Sequence, residues 1–391
     1  MNEDKATRYH RLRRLTRFAG GLAGTVALVA FWLSSGSAWL RDVCERAAGA
    51  LPGDVAAPAT VALYVIAVCV GAELLGFPLA AYRGHVLERR YGLSPASFAQ
   101  WLFDYAKASA LAAALAVVAA SVAYAALRSL PAWWWVVTSL ALTSGSIVLA
   151  YAAPVVLFPL FFKFRALERP PLVHRAVSLA ERAGAPVLGV YEWRLGERSR
   201  TGNAALVGLG GTRRILISDT LLDGYSDDEI EVILAHEIAH HVHGDLWKAL
   251  AVDAVLMLGA LACAHVALRA ATGLGGVRAP GDVAGLPVLL LAVGAWSLAT
   301  MPVANAVSRA HERRADRFAL DLTQNPGAFV SAMKRLGAQN LADEQPSKAT
   351  AWWFHSHPPL PERLAAARAW APPAASDAAA IASHPREPAE P

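Results

Sequence analysis

The chain has 391 residues, of which 55% are hydrophobic and 17% charged, and its mean hydropathy is +0.35. This composition excludes an ordinary soluble globular protein and predicts a mainly α-helical membrane protein. The net charge of +5 is explained by basic loops beside a membrane, so we expect no nucleic-acid partner. Three cysteines, Cys44, Cys69 and Cys263, have neither metal-ligand spacing nor the pattern of a disulfide scaffold.

Six apolar stretches are long enough to cross a bilayer, which takes about 20 helical residues. They cover residues 18–40, 58–82, 106–128, 132–160, 247–271 and 284–307. The first is longer than the apolar core of a signal peptide and no strong cleavage site follows it, so we expect a retained anchor. We therefore predict a polytopic helical protein with about six spans and the lipid bilayer as a partner.

Positive charge orients these spans, because short loops rich in Lys and Arg stay in the cytoplasm. Six basic residues precede the first span: Lys5, Arg8, Arg11, Arg13, Arg14 and Arg17. The loop after the second span, an amphipathic linker at 83–107, is basic as well. We therefore expect a cytoplasmic N-terminus and, after even numbers of spans, cytoplasmic segments at 163–246 and 308–391. The Ala/Arg-rich style of the chain suggests the inner membrane of a bacterium.

The first of these segments begins a predicted zincin-like catalytic domain that contains a small β-sheet. Residues 171–184 form a predicted helix, and strands are predicted at 187–193, 203–208 and 214–218. An exposed edge of this sheet can hold a peptide or membrane-protein substrate as an extended strand, by main-chain pairing. The alternative is an ordinary small sheet packed against the next helix.

That next helix contains the sequence HEIAH at residues 236–240. Residues four apart lie on one helix face, so His236 and His240 can bind one zinc ion. Glu237 lies beside the first ligand and can take a proton from the attacking water. Ser226 is the expected N-cap and Gly244 the expected stop. The alternative is a histidine-rich surface helix, and a third ligand distinguishes the two.

A third ligand follows the last two apolar stretches. Glu312 and Asp316 are four apart and share a helix face. Glu312 can complete a His/His/Glu site whose fourth position stays open, as a catalytic zinc requires. Asp316 can then accept the free ring N–H of a ligating histidine. His311 points about 100° away and is a weaker ligand candidate. The alternative is a solvated helix in which Arg309, Arg313 and Arg317 pair with both carboxylates.

The predicted organisation follows from these assignments, with one Zn²⁺ per chain as the cofactor. A membrane domain with four spans is followed by the segment with the HEIAH helix, two further spans, the segment with the third ligand, and a disordered tail. These parts cover residues 1–162, 163–246, 247–307, 308–370 and 371–391.

The chain resembles the type I CAAX prenyl protease family, membrane zinc endopeptidases of the gluzincin kind, over about residues 60–370. The matching motifs are the linker at 83–107, the third-ligand motif at 308–316, and the SHPPL sequence at 356–360 together with residues 362–364. Residues 203–204 and 214–222 match the substrate-edge strand of the family and the approach to its metal-binding helix.

The resemblance implies the zinc-binding and base roles already assigned to the HEIAH helix and to Glu312. It further implies that His357 stabilises the oxyanion of the tetrahedral intermediate and that Arg363 supports the site. Asn203 and Ala204 would line the substrate. A positioned histidine donor beside developing negative charge is a recognised way to lower such a barrier.

The predicted function is a membrane-embedded zinc metalloendopeptidase. One alternative is a quality-control protease like HtpX, which uses the same chemistry on other substrates. A second alternative, from a different class, is a non-catalytic polytopic protein with a structural metal. Glu237 argues against it, because a structural site is closed by a fourth protein ligand and has no use for an adjacent base.

Overall fold

The computed structural model describes residues 5–208, 210–342 and 347–372, so the predicted disordered tail, apart from residues 371 and 372, lies outside the described part. The membrane half consists of seven helices joined by two π-helical turns. These are α1 (Lys5–Leu33), α2 (Gly36–Ala48), α3 (Gly53–Ala81), the π turn Tyr82–Leu87, α4 (Glu88–Arg90), α5 (Phe98–Ser129), α6 (Trp134–Ala152), the π turn Ala153–Leu157 and α7 (Phe158–Phe161).

Two predicted boundaries differ from the structure. The helix of the first span ends at Leu33, not at residue 40, because Ser35 adopts a left-handed conformation with φ 59°. The predicted linker at 83–107 is largely helical, since α3 continues through the π turn to Arg90. The capping box of Ser97 and Gln100 then starts α5.

Six helical stretches in the described part are long and apolar enough to cross a membrane, as predicted. Four of them precede the sheet and two follow it. Many of their large apolar side chains point outward, such as Leu74, which is 73% exposed, and Val155, which is 69% exposed. An apolar surface of this extent is suited to lipid rather than water.

A mixed four-stranded sheet follows the fourth span. The chain continues through β1 (Phe164–Ala166), α8 (Pro170–Arg182), β2 (Val190–Trp193), β3 (Ala204–Val207), β4 (Arg214–Ser218) and α9 (Asp219–Gly224). The strand order is β1-β2-β4-β3, with β2 and β4 parallel and the other pairs antiparallel. The three predicted strands are confirmed. The short β1 was not predicted, because a three-residue segment is too short to show an alternating pattern.

The remaining elements are α10 (Asp227–Val242), α11 (Asp245–Ala271), α12 (Leu286–Thr323), α13 (Pro326–Gln339), α14 (Lys348–Phe354) and α15 (Leu360–Ala369). Apolar residues of the sheet, α8, α10 and α13 form one core, which includes the fully buried Ile217, Leu179, Ile230 and Phe329. Each such side chain contributes about 1.5–3 kcal/mol of burial free energy. The helices α11 and α12 pack against each other as a hairpin and return the chain to α10.

Candidate metal centre

The helix α10 begins and ends as its sequence dictates. Ser226 accepts a hydrogen bond from the backbone N–H of Glu229, whose side chain accepts one from the Ser226 N–H in return. Gly244 adopts the left-handed conformation with φ 63°, which separates α10 from α11. Between these ends, His236 and His240 lie on one face, with ring centroids 5.0 Å apart.

The α11–α12 hairpin brings Glu312 against this histidine pair. His236 Nε2 is 3.4 Å from Glu312 Oε2, and His240 Nε2 is 3.5 Å from Glu312 Oε1. Three donor atoms, one from each residue, lie within 4.8 Å of one another. His311 does not belong to this group; its Nδ1 is 3.8 Å from an oxygen of Asp245.

The geometry of the donors fits a metal ion. Two ligands at 2.0–2.2 Å from a tetrahedral zinc are roughly 3.4 Å apart, which is the separation of the glutamate oxygens from the two Nε2 atoms. Glu312 is only 6% exposed, and its Oε2 makes no hydrogen bond of acceptable geometry. A buried carboxylate is costly unless nearby donors or a cation satisfy its oxygens, and the nitrogens closest to this oxygen belong to His236 and His357.

A second carboxylate contacts the other ring nitrogen of each histidine. Asp316 Oδ1 is 2.9 Å from His236 Nδ1, and Asp245 Oδ2 is 2.9 Å from His240 Nδ1. The hydrogen bond of His240 favours the tautomer in which its Nε2 carries the free lone pair, and Asp316 is close enough to His236 Nδ1 to favour the same tautomer when that ring is neutral. Asp316 was expected from its spacing, whereas Asp245 was missed. Asp245 directly follows the left-handed Gly244, at the start of α11.

Arginines hold both of these aspartates in place. Arg363 donates from Nε and Nη2 to the two oxygens of Asp316, at 2.7 and 2.5 Å, and Arg314 donates to Asp245. The bidentate geometry fixes the plane of the Asp316 carboxylate. The alternative of a solvated helix is wrong, because Glu312 and Asp316 are buried and the neighbouring Arg313 binds Glu362 instead.

His357, in the C-terminal segment, contacts the candidate ligand Glu312. Its Nδ1 is 2.8 Å from Glu312 Oε2, although 64% of its side chain is exposed. Neither sequence spacing nor composition distinguished this residue from His355. In the structure His355 ends α14, and its carbonyl oxygen accepts a hydrogen bond from Arg309 at 2.6 Å. The side chain of His357 lies beside the candidate site.

Burial and neighbouring charges shift the pKa values of Glu237 and His236 on α10. Burial raises the pKa of Glu237 above the ordinary value of a glutamate, in spite of the nearby histidines. Burial alone would lower the pKa of His236, but its contacts with Asp316 and Glu312 outweigh burial and raise this pKa to about 9. In the metal-free site, Glu237 and His236 therefore both hold a proton more readily than an ordinary glutamate and histidine do.

The edge strand β3 lies against the HEIAH helix. His241 binds the carbonyl oxygen of Leu206 through Nε2 at 2.6 Å. The backbone of Asn203 instead faces β4, because its carbonyl accepts from the Ser218 N–H and its N–H donates to the Ser218 hydroxyl, both at 2.9 Å. Since backbone groups alternate along an antiparallel strand, the N–H and carbonyl of Ala204 point away from β4.

Two family models match the chain. The model described as peptidase family M48 covers residues 167–371, and the model described as CAAX prenyl protease N-terminal, five membrane helices, covers residues 2–163. Among the described residues of the second region, four helical stretches are long enough to cross a membrane. The 13-residue α2 is a fifth, shorter helix.

The chain is similar to several curated proteins. It is 29% identical over 288 residues to the uncharacterized metalloprotease YhfN of Bacillus subtilis, and this alignment covers 72% of this chain and 67% of that protein. It is 27% identical over 316 residues to CAAX prenyl protease 1 of Saccharomyces cerevisiae, and this alignment covers 75% of this chain and 68% of the yeast protein. A protease HtpX homolog of Herminiimonas arsenicoxydans is 29% identical over 213 residues, and the alignment covers 50% of this chain and 71% of that protein.

The fold has a solved counterpart. The crystal structure of Ste24p from S. mikatae superimposes with a TM-score of 0.79 at 23% identity, over 93% of this chain and 87% of that one. The likeness therefore includes the membrane helices as well as the sheet and α10.

Proposed function

The chain belongs to peptidase family M48 and is a membrane metalloprotease, and from this we propose that it is a zinc endopeptidase with Glu237 as its general base. One observation carries the proposal. Donor atoms of His236, His240 and Glu312 converge to within 4.8 Å, and Glu237 directly follows His236 on α10. A catalytic zinc has three such protein ligands and keeps a fourth position open. We propose one ion per chain.

The bound ion would act as a Lewis acid on the scissile carbonyl and lower the pKa of a neighbouring water. Glu237 would take the proton of that water, a role suited to a carboxylate whose pKa is raised by burial. It would then deliver the proton to the amide nitrogen that leaves. A general base of this kind contributes about 10²- to 10⁴-fold to the rate.

We assign positioning and stabilising roles to the remaining residues of the site. Asp316, held by Arg363, and Asp245, held by Arg314, would keep the two histidine rings in their ligating orientation. His357 is exposed beside Glu312 and would donate a hydrogen bond to the oxyanion of the tetrahedral intermediate. This role requires its ring to turn from the carboxylate toward the substrate.

The substrate would bind as an extended strand along β3. The outward N–H and carbonyl of Ala204 are available for pairing with a peptide, and the exposed side chain of Asn203 lies at the beginning of the same edge. Main-chain pairing of this kind selects for an extended backbone rather than a particular sequence. Peptides and unfolded segments of membrane proteins are the corresponding substrates.

The same chemistry would serve a protease like the CAAX prenyl proteases or one like HtpX. The share of the chain that aligns with each relative favours the first. The N-terminal model of CAAX prenyl proteases matches residues 2–163, and the yeast enzyme aligns over 75% of the chain. The HtpX homolog aligns over half of it. We therefore propose a function like that of CAAX prenyl proteases, with cleavage of membrane proteins by an HtpX-like enzyme as the alternative.

We further propose that the site faces the cytoplasm from a bacterial inner membrane. The basic residues before the first span favour a cytoplasmic N-terminus. Four candidate spans separate that terminus from the sheet, and an even number returns the chain to the same side. Reporter fusions at the N-terminus and near residue 225 test this orientation, which is wrong if they report opposite sides.

The substitution Glu237→Gln tests the enzymatic role. We expect the purified variant to keep one zinc ion while cleavage of a quenched fluorescent peptide falls at least about 100-fold. Glu231→Gln is the matched control, because Glu231 lies on the same helix but binds Arg175 and Arg182 of α8. Unchanged cleavage by Glu237→Gln would overturn the proposal, and so would zinc-free wild-type protein with full activity.

A further inference from the structure

A second cavity, of about 410 Å³, lies between the end of the fourth span and one face of the sheet. Tyr151, Val155 and Pro159 form its wall on the membrane side, and Tyr191, Arg214 and Leu216 line it from the sheet. No residue of the metal centre contributes to it. The cavity therefore requires an explanation separate from the proteolytic site.

The sheet face that lines this cavity is not the one that packs in the protein core. Ile215 and Ile217 of β4 are fully buried in the core with α8 and α10. Arg214 and Leu216 alternate with them, so they lie on the opposite face. Tyr191 is paired with Leu216 across β2 and β4 and shares that face. The chain that covers this face comes from the end of a membrane span.

The cavity has a positive charge that the described residues do not neutralise. Arg214 is exposed, its guanidinium carbon lies 5.6 Å from the centre of the Tyr191 ring, and it forms no ion pair within the described part of the chain. Arg165 also lines the cavity and binds Glu192 through Nε and Nη2 at 2.9 and 2.8 Å. No carboxylate belongs to the lining itself.

The opposite wall is apolar and suited to hydrocarbon. Tyr151 is 59% exposed and Val155 is 69% exposed, and both lie in the last turns of the predicted span at 132–160. Lys163 and Arg165 follow directly, as is usual where a helix leaves the membrane. The apolar wall therefore belongs to the end of a candidate membrane span, and the unpaired guanidinium of Arg214 lines the same cavity from the sheet.

We propose that this cavity binds an anionic phospholipid, with Arg214 on its phosphate and an acyl chain along Val155. Guanidinium is the side-chain group best matched to phosphate oxygens, and its stacking on Tyr191 restricts its orientation. Charge complementarity favours an anionic over a zwitterionic lipid. The bound lipid would anchor the sheet, and with it the substrate edge β3, to the membrane surface.

Native mass spectrometry of the full-length protein in non-ionic detergent tests this. We expect wild-type protein to retain dioleoylphosphatidylglycerol in preference to dioleoylphosphatidylcholine. Arg214→Gln should lower this retention about fivefold, the contribution of one interfacial cation, and Arg214→Lys should lower it less. Arg182→Gln is the matched control, because Arg182 is 51% exposed on α8, away from this cavity, and should leave retention unchanged. Unchanged thermal unfolding of each variant shows that folding is not the cause.

Three results would overturn the proposal. Equal retention of both lipids by wild-type protein would show that charge does not select the ligand. Displacement of phosphatidylglycerol by excess inorganic phosphate would indicate a site for free phosphate. Unchanged lipid retention in Arg214→Gln, with a higher KM for peptides carrying acidic side chains, would assign the cavity to the substrate. The first two results do not depend on the role of Glu237, whereas the third requires a protein that cleaves peptides.

Discussion

Arg309 donates a hydrogen bond to the carbonyl oxygen of His355 at 2.6 Å, and its side chain is buried where α12 meets the end of α14. Further contacts of the same guanidinium with the carbonyls of Ala351 and Trp352 cap the C-terminus of α14. Because His355 is two residues before His357, the helix that carries Glu312 also fixes the segment that carries the proposed oxyanion donor.

We predict that Arg309→Met lowers kcat about tenfold with little change in KM or zinc content. The loss of capping hydrogen bonds to a charged donor, each about 1.5–3 kcal/mol, would release the segment before His357. Steady-state kinetics together with metal analysis measure this. Arg317→Gln on the same helix is the control, since Arg317 is exposed and binds only Asp321 among the described residues. A parallel loss of zinc would show a general defect of α12.

The raised pKa of His236 predicts opposite pH dependences for the metal-free and metal-bound protein. The folded value of about 9 lies above the ordinary 6.5, so protonated His236 stabilises the metal-free fold fully below pH 6.5 and loses this effect as the pH rises through 9. Zinc needs the neutral ring. Its apparent affinity should therefore rise roughly tenfold per pH unit between pH 6.5 and 8.5.

Chelator competition between pH 6.5 and 8.5 measures how zinc affinity changes with pH. Thermal unfolding of the metal-free protein measures how its stability changes as the pH rises through 9. Asp316→Asn removes the carboxylate on His236 Nδ1 and should flatten the pH dependence of the metal-free protein, since the pKa of His236 would fall. If zinc affinity does not change with pH, His236 is not the protonated group.

The parts of the site set by local spacing could be predicted from the sequence. His236, His240 and Glu312 needed only the period of a helix and the return of the chain after two spans. Asp245 could not be predicted in this way, because its position depends on the left-handed turn at Gly244. Arg309 was grouped with solvated arginines, since nothing in the sequence places α14 beside it.

The fold, like the site, could be predicted from the sequence only where local patterns determine it. Apolar length predicted six spans, and alternation predicted three of the four strands. The end of α1 at Leu33 depends on the conformation of Ser35, which composition does not reveal within an apolar run. Likewise, the pairing of β3 with β4 and its place at the edge of the sheet are tertiary properties. For this reason only the family resemblance, and no local pattern, could point to Asn203 and Ala204 as the proposed substrate edge.

Asp245→Asn should weaken zinc binding about 10- to 100-fold while the fold is retained, because the amide is a poorer acceptor for His240 Nδ1. Competition with a zinc-selective chelator measures the change, and added zinc should restore cleavage. Asp321→Asn is the control, as Asp321 is 40% exposed and binds an exposed arginine. Equal affinities of the wild-type protein and Asp245→Asn would contradict the proposed support of His240.

Ala204→Pro should impair substrate binding without breaking the sheet. Proline lacks the outward N–H of this edge position but leaves the inward bonds of Asn203 to Ser218 intact. The loss of one main-chain hydrogen bond, about 0.5–1.5 kcal/mol, should raise KM roughly threefold to tenfold. Ala205→Pro is the matched control, because the N–H of Ala205 points toward its β4 partner Leu216. Loss of this N–H removes a hydrogen bond of the sheet and should lower Tm. An unchanged KM in Ala204→Pro, with normal thermal unfolding, would show that peptides bind elsewhere than on β3.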